Sequence, residues 1–238
     1  MKTIKKQILK MPLLGVLAIL SMMTAGGAAD LAGHWRFDQS GGLFPNLEGD
    51  SAQAKVQPAE NRDAMPVVPD EIGEVKEVVE FDGSGNSWIS APVKMGGEDF
   101  TIELWLKANE GKQRAVLLGN SSGIVLSVSP NGELVFLLAS GAGGKWSGVN
   151  IPNAVSMDKW IHVMARFVDC TQQLFVDDGT NVISSRSVKL DNPKQFIWSQ
   201  TVLGINNFDR TLPFSGRMAA LKIYCGSLSE ESFKQSKP

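Results

Sequence analysis

From Asp30 onward, apolar residues recur at every second position in short runs. Gly, Pro, Asn or Asp interrupts those runs at roughly eight- to twelve-residue intervals, the spacing of a sandwich or barrel. FTIELWLKA (100–108) shows the pattern most clearly: Ile102, Leu104 and Leu106 point one way, and Thr101, Glu103, Trp105 and Lys107 the other. KWIHVMARFV divides likewise, with Trp160, His162, Met164 and Arg166 opposite Ile161, Val163, Ala165 and Phe167. Further strands are predicted at AGHWRF (32–37), VKEVVEFDG (75–83), NSWISAP, AVLLG, GIVLSVS, ELVFLLA, QLFVDD, NVISSRSVKL, TVLGI and FSGRMAALKIYC. Pro130-Asn131-Gly132 joins two of them as a hairpin, and Asp169-Cys170-Thr171 turns between two more. Only LSEESFKQ (228–235) reads as helical, a short turn capped by Ser229. About thirteen strands with almost no helix predict an all-β chain of two stacked antiparallel sheets.

Two segments depart from this pattern. Residues 1–29 carry Lys2, Lys5, Lys6 and Lys10, then an apolar run Met11–Leu20, then the small residues TAGGAA. That layout predicts a secretory signal, because the run is far short of the roughly 20 residues of a spanning helix. Residues 30–238 then form one domain, exported to the periplasm, cell surface or medium, with no membrane span. The second segment, 38–74, carries Pro45, Pro58, Pro66 and Pro69 with mixed charge, and is expected to be a long loop region.

Charge narrows the partners. The signal holds four of the 23 Lys and Arg and none of the 25 Asp and Glu, so its removal takes the net charge from −2 to −6. An acidic chain without a basic run is unsuited to nucleic acid. The two cysteines, Cys170 and Cys225, leave two readings open. An even count in an exported chain favours a bridge, closing a loop of roughly 55 residues and contributing about 4 kcal/mol in the chain-entropy account. Two buried thiols are the alternative.

The pieces LAGHWRFD, VVEFDGSGNSWISAP, DFTIELWLK, KWIHVMARF, QLFVDD and LGINNFDRTLPFSGRMAALKIYCGSLSEESF span almost the whole chain after the signal. Their order resembles that of laminin-G-like jelly rolls in the concanavalin A-like lectin/glucanase superfamily, which also includes the pentraxins. The resemblance implies two curved sheets with a concave face and a rim of loops, and ligands on that face or rim. Many members bind glycans or proteins, often with calcium. The chain departs from the pattern at Asp177-Asp178-Gly179, one residue longer than the usual Asp-Gly hairpin, and at Cys225, where Asn or Asp is common. Ser40-Gly41-Gly42 is all that stands for a Gly- and Asn-rich first loop. Calcium enters through the resemblance alone, and around Asn120 the clustered carboxylates of a pentraxin-like site have no counterpart.

Candidate chemistry is sparse. Glu80-Phe81-Asp82-Gly83-Ser84-Gly85 approaches the Glu-x-Asp-x-x-Glu of one glucanase branch but ends in glycine, and a lone acid cannot run a two-step retaining mechanism. Gly119-Asn120-Ser121-Ser122-Gly123 fits Gly-x-Ser-x-Gly, yet hairpin alternation follows it where a nucleophile elbow needs a helix. Asn120-Ser121-Ser122 is also a glycosylation sequon. SGAGGKWSG (140–148) lies between strands without phosphate-loop spacing, and no cluster has zinc spacing. His34 and His162, each in a strand beside tryptophan, read as structural, as do Trp35, Trp105 and Trp160. Sugar recognition sets aromatic faces against the ring and amides or carboxylates against its hydroxyls. The expected ligand contacts are therefore Trp146 and Asn150 in one loop, Trp198 in another, and Asn206, Asn207, Phe208 and Asp209 in a third. The sequence thus points to an exported, non-catalytic module for a glycan or surface protein. An atypical polysaccharide hydrolase or lyase, or a structural envelope protein, are the alternatives.

Overall fold

The computed structural model describes residues 29–95, 98–139, 145–191, 193, 196–198 and 200–238, with only the backbone described at 62–64. Residues 1–28, nearly all of the segment expected to be a secretory signal, and residues 140–144 lie outside the described residues. In chain order the strands are β1 (Asp30–Arg36), β2 (Leu43–Phe44), β3 (Ala54–Gln57), β4 (Val67–Ile72), β5 (Val75–Asp82), β6 (Trp88–Ala91), β7 (Phe100–Ala108), β8 (Ala115–Asn120) and β9 (Ile124–Val128). They continue as β10 (Leu134–Ala139), β11 (Trp146–Ile151), β12 (Trp160–Val168), β13 (Thr171–Asp177), β14 (Val182–Ser184), β15 (Val188–Lys189), β16 (Thr201–Leu203) and β17 (Ser215–Cys225). A short helix, α1 (Glu230–Gln235), follows. Its Ser229 side chain accepts from the Ser232 amide, as the sequence predicts.

Two antiparallel sheets face each other. One runs β14-β13-β12-β7-β17-β5-β4, with β1 also on β17 and β15 on β13, and the other β11-β10-β9-β8-β16-β6-β3-β2. Between them lie the inward residues of the alternating strands: Phe100, Ile102, Leu104 and Leu106 from β7, Ile161, Val163, Ala165 and Phe167 from β12, and Leu126 and Phe136 from the facing sheet. The split read from FTIELWLKA and KWIHVMARFV is thus the real one. Phe100 joins the layers, packing edge-on against Phe136 at 6.4 Å and Trp198 at 5.0 Å between ring centroids.

The segment 38–74 is not a loop. It contributes β2 and β3 to the end of one sheet and β4 to the end of the other, with a 3-10 turn at Ala59–Ala64 between them. The prolines obscure this because an edge strand tolerates them: Pro69 sits within β4, which has β5 as its strand partner. The strands missed are short, and they raise the number from about thirteen to the seventeen among the described residues.

Cys170 and Cys225 are not joined. Cys225 ends β17 opposite Phe100 of β7, whereas Cys170 lies in the turn after β12, on the other side of β7. Two strand spacings put them on the order of 10 Å apart, beyond the roughly 7 Å Cα limit of a bridge.

Candidate functional site

The outward face of the second sheet carries an unusual amount of apolar surface. Val116 on β8, Val125 on β9 and Leu137 on β10 point away from the core and floor a groove of about 220 Å³, walled by Arg114, Trp146, Asn206, Phe208 and Leu212. Strand pairing sets this up: Val125 lies opposite Leu137, and Leu137 opposite Gly148 on β11. Gly148 leaves room for the Leu137 side chain, whose Cδ2 would lie 2.6 Å from an added Cβ and would have to turn aside. The same register brings Trp146 and Asn150, two steps either side of Gly148, onto this outer face. Trp146 is 48% exposed.

The opposite wall is the loop 206–212, locked by its own backbone. The Asn206 amide donates to the Thr211 carbonyl (2.9 Å), the Arg210 amide to the Asn206 carbonyl (3.1 Å), and the Val116 amide to the Leu212 carbonyl (2.9 Å). Asn206 Oδ1 accepts from the Phe208 amide at 3.1 Å, an Asx turn that throws the Phe208 ring outward to 59% exposure. Leu212 is held at φ 55, a left-handed conformation that ordinary side chains adopt at a cost of roughly 1–2 kcal/mol. The Arg210 guanidinium, 4.4 Å from the centre of the Trp88 ring, ties the loop to β6.

The expected contact residues therefore divide. Trp146 and Asn206 come together across the groove. Asn150 shares the outer face and donates from Nδ2 to Glu133 Oε1. Asn207 packs over Gly119, where an added Cβ would lie 3.5 Å from its own. Asp209 is exposed, and its carboxylate accepts from both the hydroxyl and the amide of Thr211, which hold its carboxyl below the usual range. Trp198 turns inward and is only 7% exposed, stacked edge-on against Phe100. The apolar floor is what sequence reasoning left out, and Trp146 and Asn150, expected in a loop, stand on strand β11 instead. The available signal was that Val125 and Leu137 are apolar at positions where a half-exposed strand alternates to polar residues.

The motifs considered for chemistry hold local structure. Glu80 Oε1 accepts from Arg217 Nε at 3.0 Å, and Asp82 accepts from the Ser84 amide in the turn after β5. Ser122 exchanges hydrogen bonds with the Ile197 backbone in a β8–β9 hairpin. Asn120 is fully buried, donating to the Gln200 carbonyl and accepting from the Ser122 amide. Those bonds consume its amide, so the residues around Asn120 do not fit a calcium ion. Among the described residues no three His, Cys, Asp or Glu side chains come close enough to hold a metal, and no helix is long and apolar enough to cross a membrane.

On the outer face of the first sheet lies a buried polar centre. Glu103, wholly inaccessible, accepts from Tyr224 Oη (2.7 Å) and Ser236 Oγ (3.0 Å) through Oε2. Its Oε1 stands 3.0 Å from His162 Nε2. The His162 ring is sandwiched, 4.0 Å from Trp105 and 4.1 Å from Phe233 between centroids. Burial pushes the His162 pKa down more strongly than Glu103 pulls it up, so the ring is neutral at pH 7.

Two facing antiparallel sheets with a walled groove on one outer surface define a lectin-like sandwich. The chain belongs to the concanavalin A-like lectin/glucanases superfamily: the Laminin_G_3 family matches residues 82–232. No curated protein matches it. Among solved structures it is similar to domain 4 of AbnA, a GH43 extracellular arabinanase from Geobacillus stearothermophilus, in complex with arabinotriose. There the identity is 18%, the TM-score 0.60, and 87% of this chain and 98% of that one are covered. It is also similar to the binding domain of Paraclostridial Mosquitocidal Protein 1 (14% identity, TM-score 0.64, 87% of this chain and 51% of that one). The binding domain of botulinum neurotoxin DC in complex with SialylT matches over the same shares, at 14% identity and TM-score 0.56. The chain thus spans about half of each toxin domain.

Proposed function

We propose that this protein is an exported carbohydrate-binding module whose ligand lies in the groove between Trp146 and Phe208. The observation that carries the reading is the pairing of these two exposed aromatic side chains across an apolar floor, with Asn206 and Arg114 at the edge as hydrogen-bonding groups. A pyranose or furanose ring offers a C–H face to such a floor and hydroxyls to such an edge. Two proteins sharing the fold were solved with arabinotriose and with SialylT bound, which supports the ligand class. The lysine-rich, apolar start of the chain supports export.

The test is a glycan array that includes arabinotriose and sialylated oligosaccharides, followed by calorimetry on the sugars retained. Trp146→Ala and Phe208→Ala should each weaken binding about fivefold while leaving the thermal transition in place, since a stacked aromatic face contributes on the order of 1 kcal/mol. An array without retained glycans, or variants that bind like the parent, would overturn the assignment.

A further inference from the structure

A second cavity, of about 330 Å³, opens on the outer face of the other sheet, away from the groove. Five separate stretches of chain converge on it: Ile72 and Gly73 from the β4–β5 hairpin, Trp105 from β7, Trp160 and His162 from β12, Asp177 and Asp178 from the end of β13, and Lys234, Lys237 and Pro238 from the C-terminal helix and tail. Its volume lies at the small end of the roughly 300–1,000 Å³ of ligand pockets. The walls are fixed from behind. Trp160 Nε1 donates to Asp70 Oδ1 at 3.2 Å, which sets the indole plane. His162 is immobilised between Trp105 and Phe233. The tail is tied down by Ser236 on Glu103 and by Lys222 Nζ donating to the Lys237 carbonyl.

We infer that this cavity is a second carbohydrate site, selective for a neutral, polyhydroxylated ring. The half-buried Trp160 ring gives such a sugar a surface to cover, with the buried Trp105 and His162 rings packed beneath it. The charge pattern decides its class: two carboxylates and two ammonium groups line the same cavity, so a ligand of either sign meets like charge on one side. A neutral sugar uses both, its hydroxyls donating to Asp177 and Asp178 and accepting from Lys234 and Lys237. With the groove on the opposite outer face, the molecule would hold two sugar units facing in opposite directions. The ligand class rests on the carbohydrate-binding reading above, whereas the existence of the site does not.

Titration of the full chain with arabinotriose, cellotriose and maltotriose, followed by the tryptophan indole N–H resonances, tests this. Saturable shifts of the Trp105 and Trp160 indoles are expected, and they should persist in Trp146→Ala. Lys234→Ala/Lys237→Ala, which alters only exposed side chains, and Trp160→Phe should each weaken the effect at least fivefold. Trigalacturonate and chitotriosan, of opposite charge, should bind there at least fivefold more weakly than the neutral trisaccharides. Indole shifts absent with every neutral trisaccharide, or abolished by Trp146→Ala, would overturn the second site and leave the groove standing. Equal binding of the charged sugars would overturn its selectivity.

Discussion

Few side chains here bear as much as the two histidines. His34, on β1 opposite Lys222, is held at a pKa of about 4, first by burial and then by the Lys222 and Arg36 charges, with Glu103 and Asp38 pulling the other way. His162 is lowered for the same leading reason. An imidazole whose folded pKa is depressed leaves stability intact above its ordinary value near 6.5. As pH falls below that value, the unfolded chain takes up the proton first and the folded state loses ground. The midpoint of urea unfolding should therefore fall steadily between pH 6.5 and 4.5, and His34→Gln/His162→Gln should flatten most of that fall. A midpoint independent of pH in this window would contradict the assigned environments. Both residues were legible in the sequence as structural, because each falls in an alternating strand whose period assigns its side chain to one face. Their coupling to a buried glutamate and a C-terminal tail was not, since residues from 34 to 236 meet there only after folding.

The outer face of the first sheet is shielded by two elements of different character. The β4–β5 hairpin lays Val68 and Ile72 against Trp105, Ala219 and Ala220. It is clamped by Asp70, whose Oδ2 accepts from Arg217 Nη1 at 2.6 Å and Lys107 Nζ at 2.9 Å. Burial alone would raise the Asp70 pKa, but these hydrogen bonds and that of Trp160 outweigh it and hold the carboxyl below its usual value. Asp70→Ala should destabilise by about 1–2 kcal/mol in urea unfolding, the range of a partly exposed charge-assisted cluster, and raise amide exchange across Val67–Ile72. The second element, α1, is anchored by Phe233 alone among its residues, fully buried against His162 and Phe175. Phe233→Ala removes a buried ring, a change that costs about 3–5 kcal/mol in a rigid core. A six-residue helix can instead detach, so the measured loss should be smaller, with new protease sensitivity confined to the chain after Leu228. Pattern reading found α1 from its cap but missed β2, β3, β4 and β11, the last read as a loop. Strands of two to six residues at a sheet edge carry little periodicity of their own, and are set by the neighbour they pair with. The groove was half legible for a related reason. Trp146 and Asn206 stand out as an aromatic and an amide in loop-like sequence, whereas Val125 and Leu137 look like core. Trp198 was misplaced because nothing local says that its loop folds inward.

Across the entire fold, the cysteines report on register. With β7 between their two strands, reductant should leave both the intact mass and the thermal transition unchanged, and a 2 Da gain on reduction would show that the register is wrong.

One strand also dictates when folding can finish. β17 lies between β7 on one side and β5 and β1 on the other, so residues 30–36, 75–82 and 100–108 all wait for residues 215–225 before their sheet closes. Non-local pairing of this kind is slow, and a nascent chain stalled before Ser215 exposes the bare borders of three strands at once. Residues 215–225 must be made and free of the ribosome before this sheet, and with it the sandwich, can seal.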